Sequence, residues 1–256
     1  MAVYITGDTH ADFTRFNTTT FPDQKRLTKE DIVIILGDFG GIFDQVSSAQ
    51  EEYWLNWLSE KNFTICFCDG NHENFDRLYS GEFEEVDFHG GKAHRITDSI
   101  YHLMRGYVFN FEGKKFFCMG GAQSHDIQDG ILDVENFKSI KVFLNTIKRW
   151  SLEQKMFRIN HVSWWKEELP SAEEMKRGKQ NLLAVYNEVD YVIAHCLPQN
   201  VASAAGFYKG DSLTEYFDDL LDSGLKFKKW YCGHYHREQV VLGRFVIKYR
   251  GIERIV

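Results

Sequence analysis

The stretch IVIILGD, residues 32–38, decides the fold, because five apolar residues in a row are followed at once by Gly37 and Asp38. A short continuous apolar run is typical of a strand buried on both faces of an α/β sheet. The carboxyl end of such a strand opens onto the crevice where α/β proteins bind ligands. The stretch therefore predicts a buried parallel strand that presents an acidic side chain to a ligand site.

Other apolar runs in the chain end in the same way. The residues that follow them are Gly7-Asp8-Thr9-His10 after 3–6, Gly70-Asn71-His72-Glu73 just after 63–68, His195 after 191–194, and Gly233-His234-Tyr235-His236 after 230–232. Glycine allows the backbone to approach a ligand closely. Asp, Asn and His supply the oxygen and imidazole ligands that suit manganese, iron or zinc. These donors are too many for one tetrahedral centre, so the pattern predicts two ions that share a bridging carboxylate.

In this order and over this span, the motifs resemble those of the calcineurin-like metallophosphoesterase superfamily. The matched blocks cover nearly the whole chain, so the resemblance implies a single metallophosphoesterase domain over residues 1–256. It implies an α/β fold, a four-layer α-β-β-α sandwich with two mixed sheets and a dinuclear metal site at the strand carboxyl ends.

The resemblance also implies a role for each motif residue. The first ion would be held by Asp8, His10, Asp38 and His236, and the second by Asp38, Asn71, His195 and His234, with Asp38 as the bridge. His72 would be the catalytic residue that protonates or stabilises the leaving-group oxygen. A metal-activated hydroxide would be the nucleophile, with no covalent enzyme intermediate. Manganese is the expected metal, and iron or zinc are the alternatives.

The sequence departs from the Ser/Thr protein phosphatase branch of this superfamily. In that branch the second motif continues with Asp and Arg, and the Arg binds substrate phosphate, but no Arg follows Gly37-Asp38 here. The departure argues against that branch and leaves the phosphate-binding residue open. Arg77 is the nearest basic candidate. Either Asp44 or Asp69 could orient His72, and the sequence does not choose between them.

The segment 121–170 fits the layered fold poorly, and we expect it to be an inserted cap that shapes the substrate pocket. His125 and His161 are candidate substrate-binding residues within it, although an ordinary structural role is the competing interpretation. Trp164 and Trp165 are expected to pack in the interior rather than to stack on a nucleotide.

Composition limits the class of protein. The chain of 256 residues carries a net charge of −7 and has no strong Lys/Arg run, which disfavours an electrostatically driven nucleic-acid binder. No apolar stretch is long enough to span a membrane. All five cysteines lie in or beside strand-like runs, as is common for free thiols in reducing cells, so we expect a cytoplasmic protein.

Apolar runs and periodicity predict the secondary structure. Strands are predicted at 2–6, 32–36, 63–68, 100–105, 107–111, 115–119, 190–195, 229–233 and 244–250, and helices at 48–60, 138–156, 172–188 and 213–222. The third helix has a clear start, with Ser171 as its N-cap and Glu174 as a capping-box partner.

The leading functional hypothesis is a metal-dependent phosphoesterase that hydrolyses a monoester or diester of a small nucleotide or metabolite. The alternative is a nuclease that acts on DNA or RNA, which predicts an open groove with basic walls. A non-catalytic scaffold is a third possibility, but such a protein would be expected to lose metal ligands, and none is missing.

Overall fold

The computed structural model describes residues 1–207 and 210–256. Its strands are β1 (Val3–Thr6), β2 (Ile32–Leu36), β3 (Thr64–Cys68), β4 (Glu84–Phe88), β5 (Gly91–Thr97), β6 (Ile100–Leu103), β7 (Tyr107–Phe111), β8 (Lys114–Met119), β9 (Gly130–Leu132), β10 (Phe157–Ile159), β11 (Tyr191–Ala194), β12 (Lys229–Cys232), β13 (Gln239–Val241), β14 (Phe245–Ile247) and β15 (Glu253–Arg254). Its helices are α1 (Ala49–Ser59), α2 (Phe75–Leu78), α3 (Ile140–Leu152), α4 (Ala172–Ala184), α5 (Gln199–Ala204) and α6 (Ser212–Asp222).

The strands form two large mixed sheets. The first has the order β15-β1-β2-β3-β6-β5-β4, and the second has the order β13-β14-β12-β11-β8-β7. β1, β2 and β3 are parallel neighbours in the first sheet, and β8, β11, β12 and β14 are parallel neighbours in the second. The carboxyl ends of parallel neighbours lie at the same edge of a sheet, which brings the strand-end motifs together.

Alternate residues of each buried strand pack on opposite faces of the sheet and so belong to different layers of the core. In β2, Ile32 and Ile34 face the other sheet, where they pack with residues such as Ile193 and Tyr231. Val33 and Ile35 face outward and belong to the cluster that includes Leu58 of α1. On the far side, Trp230 of β12 belongs to a cluster with residues of α4 and α6. The predicted four-layer α-β-β-α sandwich is confirmed.

Every strand and helix predicted from the sequence is present, with ends displaced by a few residues. The capping box at the start of α4 is also present, since Ser171 Oγ accepts from the Glu174 backbone N–H and the Glu174 carboxylate accepts from the Ser171 N–H. The prediction missed the hairpin β4–β5 because β4 is a largely exposed edge strand rich in acidic residues. Charged edge strands lack the apolar pattern on which the prediction depends.

The segment 121–170 contributes structure outside both large sheets. Its two strands β9 and β10 pair in parallel as a separate small sheet, and α3 lies between them in the chain. Trp165 is fully buried, and its indole N–H donates to Asp76 Oδ2 at 2.7 Å. This contact attaches the segment to the chain just beyond the β3 motif.

Candidate active site

The strand-end side chains meet between the two sheets. Asp8 and His10 follow β1, Asp38 follows β2, and Asn71 and His72 follow β3. From the second sheet, His195 follows β11, and His234 and His236 follow β12. All five predicted motifs therefore contribute to one site.

Two compact groups of donor atoms form in this site. One comprises Asp8, His10 and His236, and the other comprises Asp8, Asp38 and His195. His236 Nε2 lies 3.1 Å from Asp8 Oδ2 and 3.0 Å from His10 Nε2. His10 Nε2 lies 3.6 Å from Asp38 Oδ2, so the first group also approaches the second.

His195 and Asn71 each have a buried polar atom without a hydrogen-bond partner among the described residues. His195 Nδ1 donates to the Leu36 carbonyl at 2.6 Å, which leaves Nε2 directed toward Asp38, with 3.3 Å between Nε2 and Oδ2. The Asn71 amide nitrogen donates to Ser124 Oγ at 3.1 Å, which leaves its oxygen free. Buried polar atoms are nearly always satisfied, so these two atoms fit ligands for a metal ion.

His234 is placed differently from the other predicted ligands. Its ring lies 5.0 Å from that of His195, but it belongs to neither compact group. Its backbone N–H donates to Asp8 Oδ1 at 2.9 Å and thereby fixes that carboxylate.

The backbone of the site is strained. His10, Asp38, His234 and His236 all have positive φ angles, between 44° and 66°. Such a conformation costs on the order of 1–3 kcal/mol at a non-glycine residue and persists where the surroundings enforce it. The same conformation also occurs outside the site, as at Glu112 and Tyr186, but here it directs four side chains into one cluster.

Two glycines leave room for the central carboxylates. A Cβ atom at Gly70 would lie 2.1 Å from Asp38 Oδ1, and one at Gly233 would lie 1.9 Å from Asp8 Oδ1. No side chain fits at these distances, so both motifs require glycine for close packing rather than for an unusual backbone angle.

The electrostatics of the site favour a bound cation. Burial alone would raise the pKa of Asp38, but the neighbouring His195 prevails and holds the pKa well below its usual range. Burial alone would lower the pKa of His195, yet Asp38 and Asp8 raise it to about 10. The carboxylates thus stabilise positive charge beside them, and a bound divalent ion would supply such charge.

His72 lies beside this cluster. Its backbone N–H donates to Asp38 Oδ1 at 2.8 Å, and its ring centroid is 5.6 Å from that of His10. Burial lowers the pKa of His72, the Asp38 carboxylate opposes this effect, and the Arg158 guanidinium lowers the pKa further. Among the described residues, neither Asp44 nor Asp69 makes a hydrogen bond to the His72 side chain.

Asp69 instead anchors the turn that carries Asn71 and His72. It is fully buried, and its carboxylate accepts from Arg105 Nε at 2.7 Å and lies 3.0 Å from His102 Nε2. Its backbone carbonyl accepts from the Gly121 N–H at 2.9 Å. The residue therefore ties the β3 motif to β6 and to the start of the segment 121–170.

Arg77 is not placed to bind phosphate. It is buried, and its guanidinium pairs with Glu51 at 2.8 Å and with Glu82 at 2.6 Å. Both carboxylates occupy the donors that phosphate would need, so we assign Arg77 a structural role. Its sequence separation from His72 did not indicate these partners, because they lie elsewhere in the chain.

The two histidine candidates in the segment 121–170 have different surroundings. His161 is largely exposed, and its Nδ1 lies 2.9 Å from Asp76 Oδ1. His125 lies near the metal-ligand cluster, with its ring 6.0 Å from that of His234. His125 thus remains a candidate for substrate contact, whereas His161 has a structural partner.

Arg158 is a site residue that the sequence did not reveal. It extends from β10, forms an ion pair with Asp126, and lines the same cavity as His10 and His72. Ser124 was also missed, although it contacts Asn71 and is fixed by Glu168, whose carboxylate accepts from Ser124 Oγ at 2.6 Å. Arg158 lies outside the two large sheets, and Ser124 lies five residues beyond the end of β8, so neither is adjacent to a strand end of these sheets.

Cavities open on two sides of the cluster. One, of about 440 Å³, is lined by His10, His72 and Arg158 together with residues of α1. The other, also about 440 Å³, is lined by His125, His234 and His236. The short distance between His10 and His236 places the cluster between the two cavities.

Comparison of the sequence with models of known protein families agrees with this arrangement of candidate metal ligands. The sequence fits the calcineurin-like phosphoesterase family over residues 1–238. The chain belongs to this family. It is accordingly a hydrolase of phosphate esters, its family depends on dinuclear metal centres, and the hypothesis of a non-catalytic scaffold is not supported.

Two further findings concern this phosphoesterase. No curated protein matched its sequence. Within residues 1–207 and 210–256, no helix is long and apolar enough to cross a membrane.

Proposed function

We propose that this phosphoesterase hydrolyses a small phosphorylated nucleotide or metabolite with two metal ions held at the strand-end cluster. The ligands of the first ion would be Asp8, His10, Asp38 and His236, and those of the second would be Asp38, Asn71, His195 and His234. The observation that carries the assignment is the pair of unsatisfied atoms, His195 Nε2 and Asn71 Oδ1. Both are buried without a hydrogen-bond partner among the residues described, and Nε2 lies 3.3 Å from Asp38 Oδ2. When bound, the ions would activate water and stabilise charge on the phosphoryl oxygens.

Side chains of the protein would protonate or stabilise the leaving group and bind the substrate. His72 would protonate or stabilise the leaving-group oxygen, since its ring lies beside the metal-ligand cluster. Arg158 would bind a phosphoryl oxygen in place of the missing Arg of the second motif, because a guanidinium binds phosphate through two parallel hydrogen bonds. Its ion pair with Asp126 would hold it in position. His125 would contact the part of the substrate that lies in the second cavity.

We propose manganese as the working metal, with iron and zinc as the alternatives that the same oxygen and imidazole donors accept. We also propose a cytoplasmic location, which the five free, buried cysteines support.

A nuclease remains the alternative activity. It would need basic walls along an open groove, whereas the cavity beside His72 has acidic Asp44 and Glu51 and, besides histidine, one basic residue, Arg158, among its described lining. This composition supports a small substrate.

The test combines metal analysis with a substrate screen. Elemental analysis by inductively coupled plasma mass spectrometry should find up to two metal ions per chain in the purified protein. The protein should also hydrolyse bis-p-nitrophenyl phosphate with added Mn²⁺. Phosphomonoesters, cyclic nucleotides and dinucleotides should then be hydrolysed in preference to single-stranded DNA or RNA. Faster cleavage of the polynucleotides would establish the nuclease instead, and no turnover with any metal would contradict the proposal.

A further inference from the structure

The cavity beside His72 has a mixed lining that the metal chemistry does not explain. Aromatic side chains of Phe13, Phe43 and Trp54 form part of its wall. Ser48, Gln50 and Glu51, at the start of α1, supply polar groups. A cavity of about 440 Å³ with apolar walls and a few polar groups has the size and character of a small-molecule site.

Glu51 is the unusual member of this lining. It is only 7% exposed, and its Oε2 accepts from Arg77 Nη1 at 2.8 Å. Its Oε1 is also buried, yet it has no hydrogen-bond partner within the parts of the chain that the structure describes. A buried acceptor without a donor is destabilising, and a hydrogen bond from a bound molecule would relieve this cost.

The position of the cavity defines which part of a substrate enters it. Its lining includes His10, His72 and Arg158, which belong to the candidate active site, and Glu51 and Trp54 of α1. His72 is the proposed donor to the leaving group, so the group that departs from phosphorus lies on the His72 side of the metals. The leaving group is therefore directed into this cavity.

We propose that the cavity binds the leaving group of the substrate, and that this group carries a planar ring with an N–H donor, as in an amino-bearing nucleobase. The aromatic wall would pack against the ring, and Glu51 Oε1 would accept from its N–H. Glu51 is then a specificity-determining residue, and the preferred substrates are nucleotides rather than sugar phosphates. This inference rests on the proposed phosphoesterase activity.

The experiment compares three substrates with alkoxide leaving groups of similar chemistry. They are adenosine 5′-monophosphate, purine riboside 5′-monophosphate, which lacks the exocyclic amine, and ribose 5-phosphate, which lacks the base. We expect kcat/KM to fall about 10-fold when the amine is removed, which corresponds to about 1.4 kcal/mol for a hydrogen bond to a charged acceptor. A further decrease should follow removal of the base.

The variant Glu51→Gln tests the residue itself. Its amide oxygen would face the Arg77 guanidinium, which only donates, so its NH2 group would take the position of Oε1. The preference for the amine should therefore disappear. Glu82→Gln is the matched control, because it removes the other carboxylate partner of Arg77 but does not line the cavity. It should keep the preference at the wild-type value.

The outcomes separate this inference from the activity on which it rests. If wild-type protein turns over bis-p-nitrophenyl phosphate but hydrolyses the three phosphates equally or not at all, the leaving-group pocket is wrong and the phosphoesterase stands. An unchanged preference in Glu51→Gln would likewise overturn the role of Glu51. Absence of turnover on bis-p-nitrophenyl phosphate with every metal would instead contradict the proposed function.

Discussion

The strand-end cluster and the segment 121–170 contribute to the same site in different ways. The positions of the cluster residues are held by three independent constraints: the buried strands that they follow, a strained backbone, and glycines packed against the carboxylates. The segment supplies Arg158 from a short strand of a separate two-stranded sheet, with one carboxylate, Asp126, as its ion-pair partner. The difference supports the proposal that the cluster carries the chemistry and that the segment contributes to substrate recognition.

The largest effect is expected within the cluster. Asp38→Asn removes the proposed bridge between the ions, so activity should fall below detection and metal content should decrease to one ion or fewer per chain. Elemental analysis and turnover of bis-p-nitrophenyl phosphate measure both effects. Two tightly bound ions in this variant would refute the bridging role.

His72→Ala should separate proton donation from metal binding. Both ions should remain, while turnover decreases by about 10²–10⁴-fold if His72 is a general acid. A substrate whose leaving group needs no proton should be affected less than one with a poor leaving group. Equal losses on the two substrates would instead indicate that His72 positions the phosphate.

Arg105→Met tests the buried ion pair between Arg105 and Asp69, which anchors the turn that carries Asn71 and His72. It leaves the buried Asp69 carboxylate without its main ion-pair partner, which should reduce the free energy of unfolding by about 3–5 kcal/mol near neutral pH. Urea unfolding monitored by circular dichroism measures this change, and Arg149→Met on the exposed face of α3 is the control that should change little. A loss below 1 kcal/mol would show that the pair is not important for stability.

The same variant has a defined pH dependence. Burial would raise the pKa of Asp69, but Arg105 and His102 prevail and lower it. A depressed pKa stabilises the fold above the unfolded-state value of about 3.9, and this contribution is lost as the pH falls toward the folded-state value. The unfolded state is the same in both proteins, so the difference in stability should shrink as the pH falls below the pKa of Asp69 in the variant, where Arg105 no longer opposes the effect of burial.

The smallest effect is expected in the segment. Arg158→Ala should lower kcat/KM by about 10–100-fold, the range for loss of a hydrogen bond between charged groups, and should leave metal content unchanged. Arg149→Ala removes the same charge from the same segment at an exposed position and should have no effect on kinetics. Equal effects of the two variants would show that general charge, rather than a contact with phosphate, is responsible.

Much of the fold could be predicted from the sequence, because buried strands have a local signature. The run from Ile32 to Leu36 becomes β2 with unchanged bounds, and Ser171 caps α4 as predicted. The edge strand β4 was missed because its exposed, acidic residues lack that signature. In the site, the motif residues lie close together. Arg77 pairs with Glu51 and Glu82 instead of lining the cavity beside His72, and Arg158 lines that cavity although no sequence motif indicated it.

The sequence by itself therefore determined which apolar runs form strands and which metal-binding side chains follow them. Both features depend on local periodicity and side-chain chemistry. Only the tertiary structure decided which basic residue reaches the site, and which buried acceptor lacks a partner. Those outcomes depend on contacts between residues far apart in the chain, such as Asn71 with Ser124 and Asp76 with Trp165. Local pattern cannot specify such pairs, because many different partners would satisfy the same hydrogen-bonding group.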